Sequence, residues 1–188
     1  MPKVFAVDGN IGVGKSTLLR ELKSRGYTVF EEPIDIWYPL LKFCQQDMAK
    51  WTYILQVTIL SHYLKLQDII KTLNIPVVFI ERCALANKAF TYVAHENKTL
   101  TDIEFNILEE IYKLNTLIPD KTFLLKCSSA TCLNRIKTRN RQGEEFMTIQ
   151  YLDQIHKYYD MLFKDYNVVH IDCEASPEVV LSNILNYM

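Results

Sequence analysis

The chain has 188 residues, 49% of them hydrophobic and 23% charged, with a formal net charge of −1. That length fits a single domain, 1–188, able to bury a substantial core, and the balanced charge gives no reason to expect nucleic acid as a partner. Five cysteines with no C-x-x-C pair suggest neither a disulfide frame nor a zinc site, and no apolar run approaches the ~18 residues that span a bilayer; with no leader before the first strand, a soluble cytoplasmic protein free of membranes is expected.

Taken in chain order, Val4 to Val7 read as a buried strand that starts at Lys3 and stops at Asp8. The run "GNIGVGKST" follows and matches the spacing G-x-x-x-x-G-K-[ST]. In that pattern Gly9, Asn10, Ile11, Gly12, Val13, Gly14, Lys15, Ser16 and Thr17 wrap main-chain N–H groups and a helix N-terminus around phosphate oxygens. Gly12 and Gly14 let the backbone approach the anion, Lys15 reaches the terminal phosphates and Ser16 holds Mg²⁺. Leu18, Leu19 and Leu22 mark one face of the helix that opens there.

A second strand, Thr28 to Phe30, runs into "EEPIDIW", where Glu32 sits before Pro33 and is thereby biased to extended backbone. A helix is expected over Trp51 to Ile70, with Ile54, Leu55, Thr58, Tyr63 and Leu66 sharing faces. A third strand, Pro76 to Ile80, ends in Glu81 and Arg82, so a carboxylate able to hold Mg²⁺ and a cation able to meet phosphate follow a wholly apolar run. Another helix is expected over Asp102 to Leu117, carrying Ile103, Ile107, Leu108, Ile111 and Leu114, and a fourth strand over Thr122 to Lys126.

A helix starting near Ser128 leads into "RIKTRNRQGEE", which packs Arg135, Lys137, Arg139 and Arg141 into seven residues of a nearly neutral chain. Helix C-termini favour basic residues, but arginines on a closing segment also stabilise a transferring phosphoryl group, and Gly143 supplies a turn. A lid over about 138–147 is the expectation. A helix over Ile149 to Phe163, a strand over Val168 to Ile171 and a last helix from Ser176-Pro177 to near Tyr187 complete the chain. Such alternation implies a parallel sheet covered by helices on both faces, with ligands at the carboxyl ends of its strands.

"GNIGVGKST", "EEPIDIW", "KWTYILQ", "ERC" and "TCLNRIKTRNR…GEE…YLDQIH" occur in the order seen in the cellular and viral deoxynucleoside kinases, which the chain resembles over nearly its whole length. The resemblance implies an α/β P-loop kinase fold, with a five-stranded parallel sheet flanked by helices and a short arginine-bearing lid, assembled as a homodimer. It implies ATP and Mg²⁺ as donor and cofactor, and transfer of the γ-phosphate to the 5′-hydroxyl of a deoxynucleoside in nucleotide salvage. Carried over by position, Glu32 resembles the general base and Arg82 the residue on the 5′-hydroxyl and incoming phosphate. Glu81 with Ser16 resembles the metal site, Gln56 the amide that reads the base, Trp37 a pocket wall and Glu144 the carboxylate on the sugar 3′-hydroxyl. Arg135, Arg139 and Arg141 match lid arginines at the donor.

Departures bear on substrate choice. Tyr63 and Asn87 stand where relatives that favour cytosine or purines carry an arginine and an aspartate, which points to a pyrimidine such as thymidine. Gln45 stands where the family has a sugar-binding tyrosine, and Phe90 falls one position from the ring-stacking phenylalanine. A thymidylate-type monophosphate kinase is the alternative, but the helix from Trp51 to Tyr63 lacks cations for an acceptor phosphate. A P-loop switch protein is more remote, because "NKAF" and "NKTL" both lack the aspartate of a guanine-reading N-K-x-D.

Overall fold

A computed structural model describes residues 1–187. In chain order the elements are β1 (Lys3–Gly9), α1 (Lys15–Ser24), β2 (Thr28–Phe30), α2 (Ile34–Gln46), α3 (Met48–Thr72), β3 (Val77–Glu81), α4 (Ala84–Glu96), α5 (Asp102–Tyr112), β4 (Lys121–Lys126), α6 (Ser129–Arg139), α7 (Ile149–Leu162), β5 (Val168–Asp172) and α8 (Pro177–Leu185). The five strands form one sheet in the order β2-β3-β1-β4-β5, every pair parallel, with Phe5 facing Phe79 on one side and Lys121 on the other. Parallel strands need crossover helices, which bury the sheet, so Val4 to Val7, Val78 to Ile80 and Phe123 to Leu125 are all at most 4% exposed.

Local chemistry sets the helix starts. Asp47, Thr101, Ser128 and Thr148 each accept a hydrogen bond from a backbone N–H of the first turn of the helix they open, and Thr101 forms a full capping box with Glu104. Pro177 occupies the first turn of α8, where its missing N–H costs nothing.

Several boundaries differ from those expected. The strands fall within two residues of the expected bounds, β1 taking in Asp8 and Gly9 and β3 taking in Glu81 but not Pro76, while α3 is longer, at 25 residues, and Ile54 on it is exposed. The helix expected to reach Leu117 ends at Tyr112; it buries Leu108, whereas Ile103, Ile107 and Leu114 face outward. Periodicity predicts neither α2, which carries Pro39 in its interior, nor α4, whose buried face is built from Ala84, Ala86, Asn87, Ala89, Thr91 and Val93. Small and polar residues bury against α3, α5 and α7 without an apolar stripe to announce them.

The loop after β1 turns where a side chain has no room. Gly9 has φ +132°, and a Cβ there would meet the Leu125 carbonyl oxygen at 2.5 Å; Gly12 has φ +79°, with the Cys132 carbonyl oxygen at the same distance. β4 and α6 thus press against the loop from behind. Gly26 also has positive φ, but a Cβ there meets nothing within 4 Å. Gly9→Ala should therefore cost about 2 kcal/mol or more in urea unfolding, from strain and overlap together, and clearly more than Gly26→Ala, which adds strain alone.

Candidate active site

β1, β2 and β3 all deliver their carboxyl ends to one cleft, as their parallel order requires. The loop from Gly9 to Gly14 ends in α1, whose first N–H groups lack helical partners by geometry and point at the same space. Lys15 is 6% exposed, and its Nζ donates to the carbonyls of Gly9 (3.1 Å) and Asn10 (2.8 Å), bridging the loop. Burial, reinforced by the charge of Arg82, lowers its pKa to about 8, while Glu81 and Glu32 pull the other way. Asn10 pins the loop in turn, donating to the Leu152 carbonyl at 2.8 Å. The loop therefore offers a desolvated cation and a fan of N–H dipoles, an arrangement suited to polyphosphate.

Beside it lies a buried polar network centred on Arg82. This residue follows β3 with φ +59°, in the left-handed region, while its N–H donates to Val7. Its guanidinium meets Glu32 Oε2 at 2.6 Å, the Gly9 carbonyl at 3.3 Å and the Tyr159 hydroxyl at 3.3 Å, and packs 5.1 Å from the Phe90 ring centroid. Tyr159 passes the chain on, donating to Asp8 Oδ1 at 2.7 Å, and Asp8 also accepts from the Gly9 N–H at 2.8 Å. Tyr63 donates to Glu32 Oε1 at 3.0 Å. Glu32 is thus held by a cation on one oxygen and a hydroxyl on the other, at the rim of the cleft. Ser16 Oγ stands 3.4 Å from Glu81 Oε1, and the other Glu81 oxygen accepts the Glu32 N–H at 3.2 Å.

Of these groups Lys15, Ser16, Glu32, Tyr63, Glu81 and Arg82 line a cavity of about 470 Å³ that continues between α2, α3 and α4. Trp37 and Leu55 wall it, Gln56 and Asn87 supply a paired amide edge at 2.6 Å, and Tyr151 closes one side. Its mouth is formed by residues 139–148. There Arg139 makes a forked ion pair with Glu144 (2.5 and 2.8 Å), Arg141 lies 3.7 Å from the same carboxylate, and Tyr38 donates to Gln142 at 2.7 Å.

The cavity gathers Ile11, Gly12, Lys15, Ser16, Glu32, Trp37, Gln56, Tyr63, Glu81, Arg82, Asn87, Phe90, Arg139, Arg141 and Glu144, all singled out from sequence. Of the other expected residues, Gly9, Asn10, Val13, Gly14 and Thr17 belong to the loop and the first turn of α1, while Gln45 and Arg135 lie outside the cavity lining. Gln45 is exposed on α2, where its side chain bonds Glu145, so it ties α2 to the loop at the cavity mouth and does not enter the pocket. Arg135 stands apart from Arg139 and Arg141; it donates to the carbonyls of Val13 (3.1 Å) and Cys173 (2.9 Å), bracing the loop from behind. Val13 is itself a core residue at 1% exposed. Tyr63, expected at the base, spends its hydroxyl on Glu32. Asp8 and Tyr159 were not anticipated. Asp8 has a signal, an acid closing an apolar run, but nothing in the pair Tyr158-Tyr159 tells which ring faces inward.

The sequence model of the family described as Deoxynucleoside kinase matches residues 5–184. The chain is 28% identical to the deoxyadenosine kinase of Lactobacillus acidophilus, over 97% of this chain and 86% of that protein. It is 26% identical to the thymidine kinase of Ictalurid herpesvirus 1, over 98% and 85%. A solved structure of deoxyadenosine kinase from M. mycoides, with the products dCMP and a flexible dCDP bound, superposes with a TM-score of 0.87 at 25% identity, covering 98% of this chain and 97% of that one.

Burial pushes the Asp8 carboxyl up to about 6, against the pull of Arg82 and the Tyr159 hydroxyl, from 3.8 in an unperturbed aspartate. The native state then holds this proton more tightly than the unfolded chain, so the contribution of Asp8 to stability is greatest below pH 3.8 and declines as pH rises through about 6. Asp8→Asn keeps an oxygen for the Gly9 N–H and the Tyr159 hydroxyl. Urea midpoints collected from pH 4 to 7 should fall less steeply with rising pH in this variant than in the parent.

Proposed function

The chain belongs to the deoxynucleoside kinase family, and from that premise we propose that it transfers the γ-phosphate of ATP to the 5′-hydroxyl of a deoxynucleoside, a salvage reaction supplying DNA precursors. The observation that carries this reading is the Glu32 carboxylate, fixed between Arg82 and Tyr63 in the same cavity as Lys15. An alcohol is a weak nucleophile, and a carboxylate within hydrogen-bond reach orients it and accepts its proton. In this proposal ATP lies along Gly9 to Thr17 with its phosphates on the loop N–H groups and Lys15, and the acceptor sugar lies at Glu32, Arg82 and Glu144. Arg139 and Arg141, as residues of a lid over 138–147, turn from Glu144 toward the transferring phosphoryl group. Most of the acceleration comes from this concentration of positive charge where negative charge spreads in the transition state.

The pair Ser16 and Glu81 fits Mg²⁺, since both offer hard oxygen donors at the loop mouth. When bound there the ion neutralises charge on the β- and γ-phosphate oxygens. Among the described residues no group of three His, Cys, Asp or Glu side chains could hold a metal, so phosphate and water oxygens would complete the shell.

For the acceptor base, Gln56 is the proposed reader and a pyrimidine such as thymidine is accepted, because neither Tyr63 nor Asn87 brings a charge that would reject a carbonyl edge. We also propose a homodimer through α3 and α5, whose Ile54, Ile69, Ile103 and Ile107 stand at least 42% exposed. Sedimentation at micromolar concentration should give twice the mass of one chain, and Ile103→Glu should reduce it to the monomer.

The test of the whole reading is a panel of the natural deoxynucleosides and their monophosphates with ATP and Mg²⁺, scored for consumption of each acceptor. Nucleosides should be consumed and monophosphates left intact; the reverse pattern would make the protein a monophosphate kinase of thymidylate kinase type. Glu32→Gln should lower kcat by about 100-fold or more while KM for ATP moves little, as for a group that acts on the acceptor. A variant retaining full turnover would remove Glu32 from the chemistry.

A further inference from the structure

Behind the cavity wall the Gln56 amide belongs to a chain of four groups. Asn87 Nδ2 donates to Gln56 Oε1 at 2.6 Å, and the Tyr112 hydroxyl donates to Asn87 Oδ1 at 2.5 Å. Thr91 Oγ1 lies 3.2 Å from the Tyr112 hydroxyl, in a geometry that suits either as donor, and can also donate to the Asn87 carbonyl at 3.2 Å. Asn87 and Thr91 are 2% and 0% exposed, and Gln56 is 6% exposed where it meets the cavity. Burial keeps the Tyr112 hydroxyl protonated, so it has a hydrogen to give and lone pairs to receive.

Every member of this chain is both donor and acceptor, and the two ends of a carboxamide are nearly isosteric. The direction of the chain can therefore reverse. Turning both amides makes Gln56 Nε2 donate to Asn87 Oδ1, Asn87 Nδ2 donate to the Tyr112 oxygen, and Tyr112 donate to Thr91 Oγ1, while Thr91 keeps its bond to the Asn87 carbonyl. Each polar group stays paired in both arrangements, which is the condition for neither to carry a large penalty. A fixed charge at either position would forbid one of them.

We infer that Asn87, Tyr112 and Thr91 form a reversible relay that lets Gln56 present its donor and acceptor to the acceptor base in either order, so that the site takes both amino-bearing and carbonyl-bearing pyrimidine deoxynucleosides. This rests on the nucleoside kinase reading and on Gln56 as base reader, and adds to it a selectivity set by residues remote from the ligand. Neither Thr91 nor Tyr112 belongs to the cavity lining. Deoxycytidine and deoxyuridine isolate the effect, since they match in size and reverse donor and acceptor at ring positions 3 and 4.

The experiment compares kcat/KM for these two nucleosides, with ATP and Mg²⁺, in the parent chain and two variants. The parent ratio should lie within about tenfold of unity, where a site committed to one order rejects the other by far more. Thr91→Val keeps shape but removes the acceptor that the reversed arrangement alone requires, so the ratio should move by about fivefold or more. Tyr112→Phe removes one required bond from the observed arrangement and two from the reversed one, so both nucleosides should lose efficiency and their ratio should move in the same direction as in Thr91→Val. A parent ratio beyond tenfold, or a Thr91→Val ratio equal to the parent's, overturns the relay while leaving the kinase reading intact. Failure of the parent chain to phosphorylate either nucleoside overturns the relay, and it overturns the kinase reading as well only where no other natural deoxynucleoside is consumed.

Discussion

A guanidinium taken out of water has to be paired, and the pairing of Arg82 is the constraint around which the rest of this molecule is arranged. Its partners come from four different elements or their ends: Gly9 from β1, Glu32 from the turn after β2, Tyr159 from α7 and Phe90 from α4. Bringing them together demands that β1, β2 and β3 stop at matching heights and that α7 lie over them, as the observed register does. Removing one partner from such a pair costs about 3–5 kcal/mol, because it strands a buried charge. The same contacts that define the cleft therefore also lock the sheet to its helices.

Two kinds of polar surface follow from that arrangement. The loop before α1 provides main-chain N–H groups, and Leu125, Cys132 and Arg135 back its geometry from behind. The residues at the mouth are different in kind: Arg139 and Arg141 balance against Glu144 on an exposed segment whose ties to the body run through Tyr38 and Gln45 on α2. The loop is held by packing, and the mouth by ion pairs between side chains.

Much of this was legible in the residues alone, and for a physical reason. Strands buried on both faces are continuous apolar runs, so Val4 to Val7 and Pro76 to Ile80 announce themselves, and charges placed at their ends, such as Glu81 and Arg82, stand out. What escaped notice lacks such contrast. α4 buries Asn87 and Thr91 in a chain of hydrogen bonds beside the cavity, and so it hides its helical period; α2 carries a proline in its interior. Ile103 and Leu114 suggested a core face that turned out to look outward. The tyrosines were hardest: Tyr63, Tyr112 and Tyr159 each work through a hydroxyl whose partner lies 25 to 151 positions away, a distance at which no local pattern speaks. Position by position, Tyr63 falls in the pocket wall, and three-dimensional proximity adds its hydrogen bond to Glu32.

The positive φ of Arg82 has a bearing on how such a protein responds to attempts at improvement. Glycine would relax the main chain at that point by about 1–2 kcal/mol, so a ranking of substitutions by backbone comfort alone would favour it. It would also abolish the contacts that gather β1, β2, α4 and α7 around one side chain. The discomfort is the cost of aiming five donors into a space that a relaxed peptide would miss, and because the stranded partners outweigh what the main chain would regain, a robustness screen blind to activity would keep the residue that backbone comfort alone would discard.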